Sequence, residues 1–105
     1  MGLLDNMLGP DLARGLKEYE QTAGAVLLDV RTPEEYAAGH IAGSRNLPLQ
    51  VITQVEDEIP EKETPVFVYC QSGGRSRRAA AFLEKIGYTS VRNIGGLAGY
   101  TGPLE

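Results

Sequence analysis

The chain has 105 residues, of which 42% are hydrophobic and 23% are charged, so its size and composition predict a single globular domain over residues 1–105. Its formal net charge of -4 gives no general attraction to phosphate backbones or anionic membranes, which argues against nucleic acid and membranes as partners. No stretch is long and apolar enough to span a membrane, and residues 1–10 lack the pattern of a secretory signal, so we expect a cytoplasmic protein.

The first part of the chain predicts a helix and then a strand. From Pro10 onward, apolar residues recur at helical spacing, although Gly15 weakens the pattern. The next run, residues 25–30, is apolar apart from Asp29 and is short enough to be a strand buried on both faces. The apolar residues of the helix are Leu12, Leu16, Tyr19 and Ala23.

A second helix begins with an unusually complete start signal. Thr32 can cap this helix, Pro33 fits its first position, and Glu35 stands three residues after Thr32. The Thr32 hydroxyl and the Glu35 carboxylate can therefore satisfy each other's backbone N–H groups. Gly39 is expected to end the helix.

The rest of the chain continues the alternation of strands and helices. Residues 44–47 predict a short strand, and a third helix follows with three apolar residues on one face. Residues 66–69 predict the strongest strand, because all four are β-branched or aromatic, and Cys70 lies at its carboxyl end. A fourth helix ended by Gly87 and a strand at residues 90–94 complete the pattern. The apolar face of the third helix consists of Ile52, Val55 and Ile59.

This order of elements predicts an α/β fold with a central parallel sheet of four to five strands, flanked by helices on both faces. In such a sheet, ligands bind at the carboxyl ends of the strands. The side chains that follow the strands are therefore the first candidates for a functional site, and Cys70 is one of them.

Cys70, the only cysteine, is the strongest candidate for chemistry. It ends a predicted strand, a loop of four residues follows, and Arg75 begins a helix, so several backbone N–H groups can point at one sulfur atom. Gly73 and Gly74 allow the positive backbone dihedrals and the close approach that such a loop requires. The helix dipole, the loop amides and Arg75 favour a thiolate, so we expect the pKa of Cys70 to fall below its reference of about 8.5.

Three ordered blocks of sequence resemble the single-domain rhodaneses over almost the whole chain. The catalytic loop of that family has the form C-x4-R with the cysteine first, which residues 70–75 match. The resemblance implies a rhodanese-like fold in which Cys70 is the nucleophile and residues 71–75 form an anion-binding wall. The blocks are Asp29-Val30-Arg31 with Glu35, then Gly39-His40-Ile41 with Gly43 and Asn46, then residues 70–76. The residues expected in the substrate-binding loop are Gln71, Ser72, Gly73, Gly74, Arg75 and Ser76.

The resemblance further implies an enzyme, a thiosulfate sulfurtransferase. Family members of this form accept a sulfane sulfur from thiosulfate or a persulfide and pass it to cyanide, a thiol or a protein acceptor. The expected partners are therefore a small anionic sulfur donor and one of these acceptors. We expect a Cys70 persulfide as the intermediate, no cofactor, and a monomeric protein.

Several polar residues have a structural interpretation beside a functional one. Asp29 and Arg31 are expected to pair with neighbouring loops, although the resemblance places them near the rim of the active site. Ser72 and Ser76 can cap the fourth helix or hydrogen-bond to the sulfur, and capping is the preferred interpretation. His40, the only histidine, is expected to be structural, because a thiolate stabilised by amides needs no base. One histidine, one cysteine and no clustered carboxylates predict no metal site.

Three arginines, at positions 75, 77 and 78, gather at the start of the fourth helix, where they oppose the helix dipole. Their concentration indicates an anionic group nearby. Arg75 is the preferred anion ligand, whereas Arg77 and Arg78 are interpreted at least as readily as solvated surface charges.

Three alternatives remain open at this point, and one is a sulfurtransferase that works only as a protein-to-protein sulfur relay, with thiosulfate an incidental donor. A cysteine phosphatase or arsenate reductase of related fold has a loop one residue longer, with its arginine at the sixth position after the cysteine, where this chain has Ser76. The shorter loop suits a compact sulfur atom better than a tetrahedral oxyanion. The third alternative is a non-catalytic binding module, which would have no chemical need for Cys70.

Overall fold

A computed structural model of the protein describes residues 11–105, so the predicted start of the first helix at Pro10 lies outside the described residues. Every predicted strand and helix is present in the described part of the chain, but the first helix ends at Glu20, so the prediction that Ala23 lies on its apolar face is wrong. The strands are β1 (Val26–Asp29), β2 (Arg45–Asn46), β3 (Val66–Cys70) and β4 (Val91–Gly96). The α-helices are α1 (Leu12–Glu20), α2 (Pro33–Ala38), α3 (Val55–Glu58) and α4 (Gly74–Lys85), and a 3₁₀ helix (Leu49–Gln54) precedes α3. Within these residues, no helix has the length and apolar character to cross a membrane.

The strands form one parallel sheet in the order β2-β1-β3-β4, which confirms the predicted architecture. Val68 of β3 is paired with Leu28 of β1 on one side and with Asn93 of β4 on the other. All the residues of β3 are buried, as expected for a central strand with helices on both faces. The strand therefore delivers Cys70, its last residue, to the carboxyl edge of the sheet from a rigid position.

Helices cover both faces of the sheet. Successive side chains of the central strands point to opposite faces, so each face has apolar side chains that a helix buries. On one face, Val68 and Cys70 pack with the 3₁₀ helix, α3 and α4. On the other face, Phe67 and Tyr69 pack with α1 and Ile94. The apolar face predicted for the third helix is confirmed, since the side chains of Ile52, Val55 and Ile59 are all buried.

Gly15, which weakens the sequence pattern of α1, has a packing role in the structure. A Cβ atom at this position would lie 2.5 Å from Cγ2 of Ile94 in β4, so only glycine lets the helix lie this close to the sheet. The helix begins at Leu12, and Asp11 is its N-cap, whose carboxylate accepts the backbone N–H of Ala13 at 3.1 Å.

The start signal predicted for α2 is confirmed in atomic detail. The Thr32 hydroxyl accepts the backbone N–H of Glu35 at 3.2 Å, and the Glu35 carboxylate accepts the backbone N–H of Thr32 at 2.9 Å. Pro33 occupies the first turn, and Gly39 lies at the end of the helix. This capping box fixes Glu35 at the carboxyl edge of the sheet, on the element that follows β1.

Candidate active site

Cys70 lies where β3 meets the loop that leads into α4. Its side chain is 1% exposed, and its Sγ accepts the backbone N–H of Gly73 at 3.0 Å and that of Ser76 at 3.4 Å. Gly73 has a φ of 98°, a left-handed conformation that glycine adopts without steric cost, and it turns the loop back over the sulfur. The predicted arrangement of loop amides around the sulfur is therefore present.

The sulfur occupies the place of a helix-capping group. Gly73 is the N-cap residue of α4 and has no side chain, while Ser76 is the third residue of the helix. A capping side chain normally accepts the N–H of that third residue, and here the Cys70 sulfur does so. The preferred interpretation of Ser72 and Ser76 as capping residues is wrong, because no side chain at the N-cap bonds to the helix and the sulfur supplies the acceptor.

Ser76 has a different task, since its buried side chain links the sulfur to β4. Its Oγ lies 3.5 Å from Sγ of Cys70 and donates to Oδ1 of Asn93 at 2.7 Å. The same Oδ1 accepts the backbone N–H of Gly95 at 3.0 Å. The sulfur, the first turn of α4 and the end of β4 are therefore joined in one hydrogen-bonded network.

The surroundings of Cys70 favour the thiolate. Burial raises the pKa of Cys70, but its contact with the Ser76 side chain and the hydrogen bonds from the backbone N–H groups of Ser76, Gly73 and Ser72 outweigh burial and lower the pKa below its ordinary value. The direction agrees with the sequence-based expectation. The lowering comes first from Ser76 in the first turn of α4 and then from the amides of Gly73 and Ser72 in the loop, because hydrogen bonds to a thiolate stabilise the charged form.

Arg75 forms a two-pronged ion pair with Glu35. Its Nη1 and Nη2 donate to Oε1 and Oε2 of Glu35 at 2.7 and 3.0 Å. The same carboxylate accepts the backbone N–H of Thr32, so one side chain ties the capping box of α2 to the first turn of α4. The Arg75 hydrogen bonds, followed by that of Thr32, lower the pKa of Glu35 to about 2 against opposing burial. Much of the charge of Arg75 is thus already balanced within the protein.

Acid is expected to weaken the fold through this ion pair. The pKa of Glu35 is about 2 in the folded protein against an ordinary value of 4.5, so the pair contributes fully above about pH 4.5 and is lost as the pH falls toward 2. The Glu35 side chain is 34% exposed, which limits the contribution to about 1 kcal/mol or less. Urea unfolding should show Glu35→Gln less stable than wild type near pH 6, with the difference closing near pH 2.5.

The matched control for this titration is Glu34→Gln, which alters an exposed carboxylate in the same first turn of α2. The stability difference between Glu34→Gln and wild type should not close between about pH 6 and about pH 2.5 as that of Glu35→Gln does, because Glu34 is not part of the ion pair with Arg75. A stability difference for Glu35→Gln that stays constant from about pH 6 to about pH 2.5 would contradict the assignment.

The glycines of the loop do not have equal roles. Gly73 has the expected positive φ, but Gly74 is the first residue of α4, and a Cβ atom there would meet no atom within 4 Å. Gly96 of β4, to which the sequence analysis assigns no role, is the more constrained residue. A Cβ atom on it would lie 2.6 Å from the carbonyl carbon of Gln71 and 2.7 Å from the backbone nitrogen of Ser72.

The segment after Gly96 also holds the cysteine loop from outside. The backbone N–H of Leu97 donates to the carbonyl of Cys70 at 3.0 Å, and that of Ala98 donates to the carbonyl of Gln71 at 2.9 Å. The glycine pair at positions 95 and 96 was the available sequence signal, because adjacent glycines at a strand end indicate close backbone approach. The glycine pair does not indicate, however, which segment of the chain approaches it.

Asp29 and Arg31 form a buried ion pair at the end of β1. Arg31 Nη2 lies 2.6 Å from Oδ2 of Asp29 and donates to the carbonyl of Gly39 at 2.7 Å. The Asn46 side-chain amide bonds to the carbonyls of Asp29 and Arg31 at 3.0 and 2.9 Å. Arg31 therefore pairs with the neighbouring loop at Gly39 as expected, whereas the Asp29 carboxylate pairs with Arg31 itself, and their place at the rim of the active site stays a prediction.

His40 lies just after α2 and contacts Tyr36 of that helix. Its Nδ1 lies 2.8 Å from the carbonyl of Tyr36, and the two rings stack with centroids 3.7 Å apart and an interplanar angle of 6°. These contacts support the structural interpretation of His40. Among residues 11–105, no three His, Cys, Asp or Glu side chains are placed to hold a metal ion.

A polar cavity of about 510 Å³ opens beside the cysteine loop. Loop residues 71–74 form one wall, and the end of β4 with Ala98 forms the other. Arg77 lines this cavity, whereas Arg75 and Arg78 do not. Of the three arginines at the start of α4, Arg77 is therefore the one exposed to this cavity, whereas the sequence favours Arg75 as the anion ligand.

The domain is a parallel α/β fold whose central strand ends in a cysteine with a lowered pKa, and a short loop lined with amides leads from that cysteine into a helix. These features define a class of proteins that perform chemistry on a cysteine thiolate. Comparison with known families narrows the class. A family model described as the rhodanese-like domain matches residues 11–102, and the chain belongs to this family.

Two curated relatives and one solved structure illustrate the match. The uncharacterized protein YqhL of Bacillus subtilis is 42% identical over 98 residues, which cover 90% of this chain and 77% of YqhL. The thiosulfate sulfurtransferase PspE of Escherichia coli is 41% identical over 71 residues, which cover 67% of this chain and 68% of PspE. The solved structure of a rhodanese with anions from E. coli superposes with a TM-score of 0.71 at 36% identity, over 77% of this chain and 96% of that one.

Proposed function

We propose that the protein is a thiosulfate sulfurtransferase that carries a sulfane sulfur as a persulfide on Cys70. The observation that carries the proposal is the Cys70 sulfur at the start of α4, which accepts two backbone N–H groups and has a lowered pKa. The activity named for PspE supports the same assignment. The enzyme acts as one domain, without a cofactor and as a monomer.

In the first half-reaction, the Cys70 thiolate attacks the outer sulfur of thiosulfate. A bond forms between Sγ and that sulfur, the sulfur–sulfur bond of thiosulfate breaks, and sulfite leaves with the electron pair. The lowered pKa of Cys70 raises the thiolate fraction available for attack. A persulfide donor would react in the same way, with its thiolate as the leaving group.

The start of α4 can then hold the terminal sulfur of the persulfide. The first N–H groups of an α-helix have no acceptor within the helix, and those of Gly74 and Arg75 belong to this group. Backbone donors fixed in this way favour a negative charge without reorganisation. Residues 71–76 would thus form the substrate-binding loop chiefly through their backbone.

In the second half-reaction, cyanide, a thiol or a protein thiol attacks the outer sulfur. With cyanide, a carbon–sulfur bond forms, the bond between Sγ and the outer sulfur breaks, and thiocyanate leaves while Cys70 returns to the thiolate. The enzyme ends each cycle unchanged. A reactive thiol needs reducing surroundings, which supports the cytoplasm as its place of action.

The position where a phosphatase would have its arginine is occupied by a residue that cannot bind an oxyanion. Ser76 is buried, and its hydroxyl already donates to Asn93. The arginine of this loop, Arg75, comes one position earlier and is paired with Glu35. These contacts favour sulfur transfer over phosphate ester hydrolysis.

Intact mass spectrometry after incubation with thiosulfate tests the proposal. We expect a gain of one sulfur atom on the wild-type protein, removed by cyanide or by a thiol reductant. An aryl phosphate is the alternative substrate. Efficient hydrolysis of the phosphate ester with no added sulfur would replace the sulfurtransferase proposal with the phosphatase alternative.

A further inference from the structure

The cavity beside the cysteine loop is larger than the sulfur donor requires. Its volume is about 510 Å³. Pockets of roughly 300–1,000 Å³ enclose drug-sized molecules, and thiosulfate and cyanide are far smaller than these. Gly73 forms part of the wall and donates its N–H to Sγ of Cys70 at 3.0 Å. The cavity therefore adjoins a residue that contacts the reacting sulfur, while Cys70 itself is not among the residues that line it.

Arg77 gives the cavity its positive charge. It is exposed, and the ion pairs formed by residues 11–105 do not include it. Arg75, in contrast, is held by Glu35. None of the described residues that line the cavity is acidic. A cation near a helix N-terminus opposes the helix dipole, and a bound anion would offset this repulsion.

Asn93 adds a second feature that suits an anion. It lines the cavity, and its Oδ1 already accepts the Ser76 hydroxyl at 2.7 Å and the Gly95 N–H at 3.0 Å. The polar group that Asn93 has left for a ligand is its NH₂ donor. Arg77 and Asn93 therefore both present donors and no acceptor.

We propose that this cavity binds the sulfur acceptor, a small thiol that carries a carboxylate, and that Arg77 pairs with the carboxylate. The inference rests on the proposed function, because the acceptor must meet a persulfide on Cys70. The acceptor thiolate attacks the outer sulfur, a new sulfur–sulfur bond forms, and the bond between Sγ and the outer sulfur breaks. Its electron pair returns to Sγ, and the acceptor leaves as a persulfide.

The test compares two thiols that differ in charge, 3-mercaptopropionate and its neutral amide. The protein is loaded with thiosulfate and freed of excess donor, and the loss of the persulfide is followed by timed intact mass measurement at low ionic strength. We expect wild type to discharge faster to the carboxylate than to the amide. In Arg77→Gln this preference should fall about three- to tenfold, the range for one partly exposed charged contact.

Arg78→Gln is the matched control, because Arg78 is also exposed on α4 but does not line the cavity. It should keep the wild-type preference. A wild-type preference in Arg77→Gln, or an equal loss in both variants, would overturn the acceptor site and leave the proposed function intact. A wild-type protein that never gains the sulfur would overturn the proposed function, and the acceptor site with it.

Discussion

Cys70→Ser is expected to reduce sulfur transfer from thiosulfate to cyanide to background, on the order of 10³-fold or more. A serine hydroxyl is not ionised at neutral pH and cannot form a persulfide. The fold should survive, because an oxygen at this position can still accept the N–H groups of Gly73 and Ser76. Thiocyanate production and intact mass after thiosulfate treatment measure the loss.

Cys70→Ala separates the chemical role of the sulfur from its capping role. Alanine has no acceptor, so the N–H of Ser76, a buried residue, loses its partner, at a cost of about 1–3 kcal/mol. We therefore expect both variants to be inactive and the alanine variant to be less stable than the serine variant in denaturant unfolding. Substantial sulfur transfer by either variant would disprove Cys70 as the nucleophile.

Gly96→Ala is expected to impair activity strongly although residue 96 forms no hydrogen bond to the sulfur. The added Cβ would overlap the backbone of Gln71 and Ser72, and backbone cannot move aside as the end of a flexible side chain can. Overpacking of this kind costs about 1–3 kcal/mol. Because the displaced segment is the cysteine loop, we also expect kcat/KM for thiosulfate to fall by about 10²-fold.

The control for Gly96→Ala is Gly74→Ala, which adds the same methyl group where no atom lies within 4 Å. Gly74 is the first residue of α4, so alanine should fit there without destabilising the helix. Steady-state kinetics and thermal unfolding of the two variants give the comparison. Equal effects at both positions would show that the contact with the loop is not the cause.

The elements that the sequence predicts well are those set by local interactions. The capping box of Thr32 and Glu35 depends on residues three apart, and the strand at residues 66–69 on a run of β-branched and aromatic side chains. Cys70 was predictable for the same reason, because a strand end and a glycine-rich helix start are adjacent in the chain. Local pattern was sufficient to locate the sulfur.

The contacts that join distant parts of the chain were not predictable in this way. Glu35 and Arg75 are 40 positions apart, and nothing in either segment identifies the other as its partner. The pairing changes the interpretation of Arg75, whose charge is balanced by Glu35 instead of being free for a ligand. Likewise, position 96 requires glycine because the backbone of Gln71 lies against it, and only the folded sheet brings these two segments together.

The wholly parallel sheet also constrains the order in which the protein can fold. No two adjacent strands can be joined by a tight hairpin, so each pairing requires closure of a longer stretch of chain. The amides around Cys70 depend on β3, α4 and β4, and β4 is the last strand in the chain. We therefore expect the acidic thiol to develop only when this strand docks, so the alkylation rate of Cys70 during refolding would report completion of the native sheet.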